Sequence, residues 1–434
     1  MKSFMGTFNS KQLAGLSLAI CLVFSILPAS SIAQTAKEDS LYNKAVYYYQ
    51  FNKYDSVASA LQQILLINPK SAKAYNLYGG VYSKQKEYEK AIEMFKKGIE
   101  ADSSDSYLLY QNLANTYIDL GNFNEAINIH KNLIRKDSTN DDAYVDLGDA
   151  YMKNKDTLNA LQSFNKAVIL NPYNTLARFN LGSTYVNTED YKQAIDELFY
   201  VRMLNGKFPG IQTAMTSATN EAESFFNDLV ENERNNSDAH YYYSFVLFYD
   251  DEKVEAIEAL EKAIKLKGTE EKYYLLKALW LWNTQKYEES INECHECLKL
   301  NPNNWMCNQE LALNYSYLSK PDSALKYIQK AVELDSQVIS SLMLLGEVFG
   351  QIKNYEQAVA PLEKVVQLSS QKFDNNPIVY YDLALIYYNL KDYKKSLEYA
   401  EIARYKHFRQ EKMQDSIKNE MDLLIKEIEI KLNK

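Results

Sequence analysis

One spacing constrains this chain more than anything else in it. Small residues recur at Ala91, Ala126, Ala160, Ala194, Ala222, Ala256, Ser290, Ala324, Ala358 and Ser396, with Val57 in the first such place. The steps between them are 34, 35, 34, 34, 28, 34, 34, 34, 34 and 38 residues. A second series runs Ala45, Gly79, Ala114, Gly148, Gly182, Ser244, Ala278, Ala312, Gly346 and Ala384. An aromatic stands three residues before the first series at Tyr54, Tyr88, Phe123, Tyr191, Tyr287, Tyr355 and Tyr393. So regular a period predicts one supersecondary unit stacked many times, each copy burying the face its neighbour cannot bury alone.

The cleanest copy is residues 141–174, DDAYVDLGDAYMKNKDTLNALQSFNKAVILNPYN. Tyr144, Leu147, Gly148 and Tyr151 fall at i, i+3, i+4 and i+7, which is one face of a helix. Lys153 to Asp156 interrupts the pattern, and Asp156 suits the cap of a second helix. Ala160, Phe164 and Ala167 form that helix's apolar face, and Asn171-Pro172 ends it. These eight positions, Tyr144, Leu147, Gly148, Tyr151, Ala160, Phe164, Ala167 and Pro172, resemble the full signature of a tetratricopeptide repeat (TPR). Physically, Gly148 and Ala160 allow two helices to cross closely, Tyr151 and Phe164 fill the space beside the crossing, and Ala167 admits the next hairpin. A bulky residue at Gly148 should overpack the crossing, at about 1–3 kcal/mol. The resemblance covers about residues 38–408 and implies an all-α fold, an α-solenoid of stacked hairpins.

Boundaries follow from breaks in the pattern. Residues 1–33 read as a signal peptide, with Lys2 and Lys11 before the apolar run Leu13 to Leu27 and small residues Ser31 and Ala33 before Gln34. That run is short for a membrane span, and an uncleaved anchor is the alternative. Residues 38–208 hold five hairpins. Gly206, Pro209 and Gly210 then cluster where a sixth first helix should begin, so 209–236 reads as a degenerate repeat that still stacks, or as an elbow. Five more hairpins occupy 237–408, with about four extra residues near Phe373–Asn376. Residues 409–434 read as a capping helix carrying Met413, Ile417, Met421, Leu424 and Ile428. The signal peptide, few glycines and richness in Asn, Lys, Tyr and Ile resemble periplasmic TPR proteins of Gram-negative bacteria.

Several functional classes are disfavoured. Net charge is −9, and no basic cluster is dense enough to track a phosphate backbone, so nucleic acid is not an expected partner. Glu258–Lys262 and Glu261–Lys265 are spaced for i,i+4 pairing on a solvated face. No zinc-protease, phosphate-loop or nucleophile-elbow motif is present, and no segment outside the repeats is long enough for a catalytic domain. No enzyme activity, cofactor or metal is expected. Cys294-His295-Glu296-Cys297 is the one cluster with chemical potential. Cys294 and Cys297 occupy the places of Phe164 and Ala167, so core packing is the first reading, with a redox or metal role as an alternative. A disulfide among Cys294, Cys297 and Cys307 stays open. His130 replaces a signature Phe and reads as a packed imidazole.

The expected function is a non-catalytic scaffold that binds a protein or peptide, with self-association as another class. The TPR resemblance implies a groove lined by the first helices. In the front array its places hold Asn76, Gln111, Asn115, Val145, Asp149, Phe179 and Ser183. In the back array they hold Tyr241, Phe245, Phe248, Tyr249, Leu275, Leu279 and Trp282. These aromatics and leucines are expected to face water and anchor a partner segment. The Lys/Asn/Arg clamp of chaperone-binding TPRs is not matched in any three successive repeats.

Overall fold

A computed structural model describes residues 29–101, 107–370, 377–408 and 415–432. Among these there are twenty-two α-helices and no strand. The chain divides into two compact units, residues 1–156 and 157–434.

The first unit contains α1 (Ala29–Gln50), α2 (Tyr54–Ile67), α3 (Ala72–Lys84), α4 (Tyr88–Ala101), α5 (Tyr107–Asp119), α6 (Phe123–Lys136) and α7 (Asp141–Lys153). The second opens with α8 (Thr157–Leu170), α9 (Thr175–Asn187), α10 (Tyr191–Leu204) and α11 (Ile211–Asn232). It continues through α12 (Ser237–Tyr249), α13 (Lys253–Leu266), α14 (Glu271–Asn283), α15 (Tyr287–Leu300), α16 (Trp305–Tyr317) and α17 (Pro321–Leu334). It ends with α18 (Ile339–Gln351), α19 (Tyr355–Ser370), α20 (Pro377–Asn389), α21 (Tyr393–Phe408) and α22 (Asp415–Leu432). Within each unit, successive helices pack on one another, mostly as hairpins stacked on the next, with α11 entering as a single helix.

Each hairpin turn has the same local cause. One residue per turn takes a positive φ: Asn52, Lys86, Gly121, Lys155, Glu189, Asp251, Gln285, Ser319, Lys353 and Lys391, at 55° to 85°. That left-handed residue ends the first helix and turns the chain into the second. Only Gly121 adopts it without a Cβ penalty. Between hairpins, Asn140, Asn174, Asn236 and Asn304 cap α7, α9, α12 and α16, each accepting a hydrogen bond from the backbone N–H three residues on. Asn171 and Asn301 organise the preceding turns, each Oδ1 accepting from the N–H two residues later at 3.1 Å.

The small residues sit at close crossings. A Cβ on Gly79 would lie 2.5 Å from the Phe95 ring, and one on Gly346 would lie 2.6 Å from Leu362. Gly79→Ala should therefore cost about 1–3 kcal/mol, because the buried Phe95 ring would have to shift to admit the added methyl. A midpoint shift in chemical denaturation of the first unit measures it; an unchanged midpoint would mean the crossing gives way freely.

Several expectations need correction or refinement. The cleanest repeat, 141–174, does form two helices, but the division between the units falls at its turn. In the segment 209–236, read from the sequence as a degenerate repeat that still stacks or as an elbow, α11 starts directly after Gly210 and runs 22 residues as one helix. It lies inside the second unit, packed on α10 and α12, with Met215 and Phe226 fully buried and Phe226 stacked on Tyr242 at 5.6 Å. Neither i,i+4 pair on α13 forms; Glu261 instead pairs with Lys277 of α14 at 3.1 Å. At the chain's end α22 buries Met421, Leu424 and Ile428 against α20 and α21. The apolar run 13–27, residues 373–376 and the side chains of Met413 and Ile417 lie outside the described residues, and α1 already begins at Ala29, ahead of the expected mature start.

Candidate partner-binding groove

The back-array residues do not form a water-facing patch. Tyr241, Phe245, Phe248, Leu275 and Leu279 are buried, Phe245 completely, and Tyr249 and Trp282 are half-buried. The reason lies on α10. Its second half packs against the inner faces of the following first helices, so Phe199 meets Phe245 at 5.5 Å and Arg202 donates to the Tyr249 hydroxyl at 2.8 Å. Farther along, the Ser340 hydroxyl of α18 donates to the Met203 carbonyl at 2.6 Å, and the Tyr173 hydroxyl donates to Asp335 at 2.8 Å. The second unit thus closes its inner face on its own chain. Trp280, which the spacing did not single out, is central to that core: it stacks on Phe248 at 3.7 Å and meets Phe245 edge-on at 5.5 Å. Trp282 packs on Tyr317 at 5.4 Å.

The second unit also holds acidic side chains whose carboxyls burial pushes up. Glu310 is buried, and that burial pushes its carboxyl up to about 7, against the pull of the Asn314 amide that donates to it at 3.0 Å. Asp382 is likewise raised to about 7, first by burial and then by the neighbouring Glu347 charge.

The cysteines separate into two roles. Cys297 is disulfide-bonded to Cys307, joining α15 to α16, while Cys294 is a free, fully buried thiol. Burial raises the Cys294 pKa well above the ordinary thiol range, with Glu310 and Glu293 adding to it, so its nucleophilic thiolate is suppressed. Cys297 is thus paired with Cys307 and not with Cys294.

The open groove lies in the first unit, along the first helices α1, α3 and α5. It is a cavity of about 360 Å³. Tyr42 and Tyr49 of α1 form one wall, Asn76 and Lys84 of α3 the middle, and Asn112, Asn115 and Asp119 of α5 the other wall. Leu77 and Phe95 lie beneath them. The repeat explains the line-up: Tyr42 and Asn76 each stand three residues before the small residue of their helix, so stacking brings them side by side. Gly80 leaves the middle of the groove open, since a Cβ there would meet only the Tyr49 hydroxyl at 3.6 Å.

Its polar groups are part ordered and part available. The Asn112 side chain donates to Asn76 Oδ1 at 2.8 Å, and the Ser83 and Thr116 hydroxyls lie 3.2 Å apart. Asn115 is exposed and its amide bonds to no described residue; Lys84 and Asp119 at the mouth are exposed and form no ion pair among the described residues. Such a surface can offer amide donors and acceptors to an extended backbone, with one charge of each sign at its edge. Of the front-array expectations, Asn76 and Asn115 do meet here. Gln111 instead turns to Asp146 at 2.8 Å, and Val145 is buried. Asp149 is raised to about 7 by burial, and Phe179 belongs to the second unit, packed on Phe208 at 5.2 Å. Ser183 is in the second unit as well.

Tetratricopeptide-repeat family models match residues 48–114 and, in a second model, 141–174, 271–304, 307–338, 339–372 and 378–401; a TPR repeat model matches 114–155. The chain belongs to the tetratricopeptide-repeat family. Among curated relatives, this TPR chain is 23% identical over 372 residues to a TPR repeat-containing protein of Methanocaldococcus jannaschii, covering 82% of this chain and 62% of that one. It is 24% identical over 381 residues to human DnaJ homolog subfamily C member 7, covering 79% and 77%. Among solved structures, yeast Tom70 aligns over 92% of this chain and 97% of its own, at 14% identity and a TM-score of 0.43. The TPR chain thus spans less than two thirds of the archaeal relative.

Proposed function

We propose that this TPR protein is a non-catalytic scaffold of the periplasm that holds an extended peptide segment of a partner in the α1–α3–α5 groove. The observation that carries this reading is the groove itself: an open cavity on the repeat's inner positions, lined by amides, with the Asn115 side chain left without a partner among the described residues. Asn112 and Asn115 pair with the peptide backbone, Tyr42 and Tyr49 supply rigid contact area, and Lys84 and Asp119 set which charged side chains are accepted. The Cys297–Cys307 disulfide supports placement in an oxidising compartment, in keeping with the signal-like residues 1–33.

The test is affinity capture from the exported fraction, with crosslinking and mass spectrometry, comparing wild type with Asn115→Ala combined with Lys84→Ala. Both side chains are exposed, so the variant keeps its fold. It should lose on the order of 2 kcal/mol of binding, and crosslinks should map to α1, α3 and α5. Equal yields of the same partners, or crosslinks confined elsewhere, would reject the groove.

A further inference from the structure

The second unit carries a larger cavity, of about 610 Å³, that uses no residue of the peptide groove. It opens where α11 ends, α12 begins and α13 ends. Arg234, Lys262 and Lys265 bring three cations to it against the single carboxylate of Glu231, in a chain whose acidic residues outnumber its basic ones 57 to 48. None of the three cations has an ion-pair partner among the described residues, and Glu261, the carboxylate spaced for Lys265, is held by Lys277. Val230 and Leu266 supply an apolar wall, and Leu266 is 41% exposed. His240, 7% exposed, fixes the loop through a 3.0 Å bond between its Nε2 and the Arg234 carbonyl.

The field of a helix C-terminus accounts for Lys265, in the last turn of α13, and for Arg234, just past α11. It does not account for Lys262, for the bare leucine, or for a cavity of small-molecule size between them. Unpaired cations beside exposed hydrocarbon are complementary to a ligand with both characters. We propose that this cavity binds a small amphiphilic anion, a phosphate or carboxylate headgroup held by Arg234, Lys262 and Lys265 with its short hydrocarbon body against Val230 and Leu266.

The test titrates the full chain by calorimetry with octyl phosphate at submicellar concentration, and in separate arms with inorganic phosphate and with 1-octanol. One octyl phosphate should bind per chain, and Lys262→Ala combined with Lys265→Ala should weaken it at least about tenfold, as should added salt. Both lysines are exposed, so a denaturation midpoint matching wild type confirms that the variant is folded. Leu266→Ser should weaken octyl phosphate but leave inorganic phosphate unchanged. Absence of saturable binding, or binding indifferent to the double lysine variant, would overturn the site. Inorganic phosphate binding as tightly as octyl phosphate would overturn the amphiphile and leave a simple anion.

Discussion

Phe245→Ala should destabilise the second unit by about 3–5 kcal/mol and leave the first unit's protection intact. Phe245 is fully buried among three rings, Phe199, Tyr241 and Trp280, each with its centroid 5.5 Å away. Phe199 comes from α10, so truncation does more than loosen the contact of one hairpin with the next. It removes the surface on which α10 closes the inner face of α12 and α14. Hydrogen exchange should show protection falling from α10 through α16, while α1–α7 stay protected. The same reasoning changes what Phe248→Ala would do: it empties the space beside the Trp280 ring and reports on stability rather than on partner binding. Uniform loss along the whole chain would contradict the division into two units. A variant as stable as wild type would mean that α10 packs on this face without energetic consequence.

His130→Phe should stabilise the first unit, on the order of 2–4 kcal/mol, and remove a weakness to acid. His130 is fully buried on α6, and neither ring nitrogen has a hydrogen-bond partner. The equivalent place in other hairpins holds an apolar side chain: Leu61, Phe95, Phe164, Leu198, Phe226, Leu260, Ile328 and Leu362, all buried. Burial lowers the imidazole pKa below 6.5, outweighing the nearby Asp146 charge. The unfolded chain takes up its proton near 6.5 while the folded chain resists it, so this residue's contribution is intact above that pH and declines as pH falls toward the folded value. Glu310 in the second unit behaves oppositely. Its carboxyl titrates near 4.5 when unfolded and about 7 when folded, so its stabilising contribution is complete below 4.5 and lost as pH rises to about 7. Acidification from pH 7 to 5 should therefore favour the second unit. In the first, the loss at His130 is opposed by Asp149, whose carboxyl burial raises to about 7, so the His130 effect is read as the difference between His130→Phe and wild type. All three tryptophans, Trp280, Trp282 and Trp305, lie in the second unit, so their fluorescence follows that unit alone during urea unfolding. Hydrogen exchange follows the first. A smaller acid loss in His130→Phe, and a shallower neutral limb in Glu310→Gln with the share of Asp382 remaining, separate the two; identical pH profiles for both variants and wild type would refute the assignment.

The repeat architecture was legible in the residues because it is set by short-range physics. The 34-residue spacing marks where two helices cross, and the structure puts Gly79 against Phe95 and Gly346 against Leu362 as that spacing requires. Aromatics expected before the small residues, such as Tyr54, Tyr88 and Tyr393, open their second helices. Of the apolar positions that suggested a helix within 409–434, Met421, Leu424 and Ile428 are buried on α22. Each of these features depends on side chains within one hairpin or its neighbour, so periodicity alone reveals them. The disulfide is an intermediate case: three nearby cysteines limited the pairings, but only the packing of α15 on α16 joined Cys297 to Cys307 and left Cys294 alone.

Which inner face meets water was decided elsewhere. Tyr241, Phe245, Phe248, Leu275 and Leu279 occupy the same repeat positions that open onto the groove in the first unit, and their own helices do not bury them. Their burial comes from residues distant in the chain but within the second unit, where Phe199 meets Phe245, Met203 meets Ser340 and Tyr173 meets Asp335. The sequence by itself thus determined the hairpin, its turns and its stacking partner, whereas only the tertiary structure decided which inner face is core and which is groove, because that choice belongs to residues far apart in the chain.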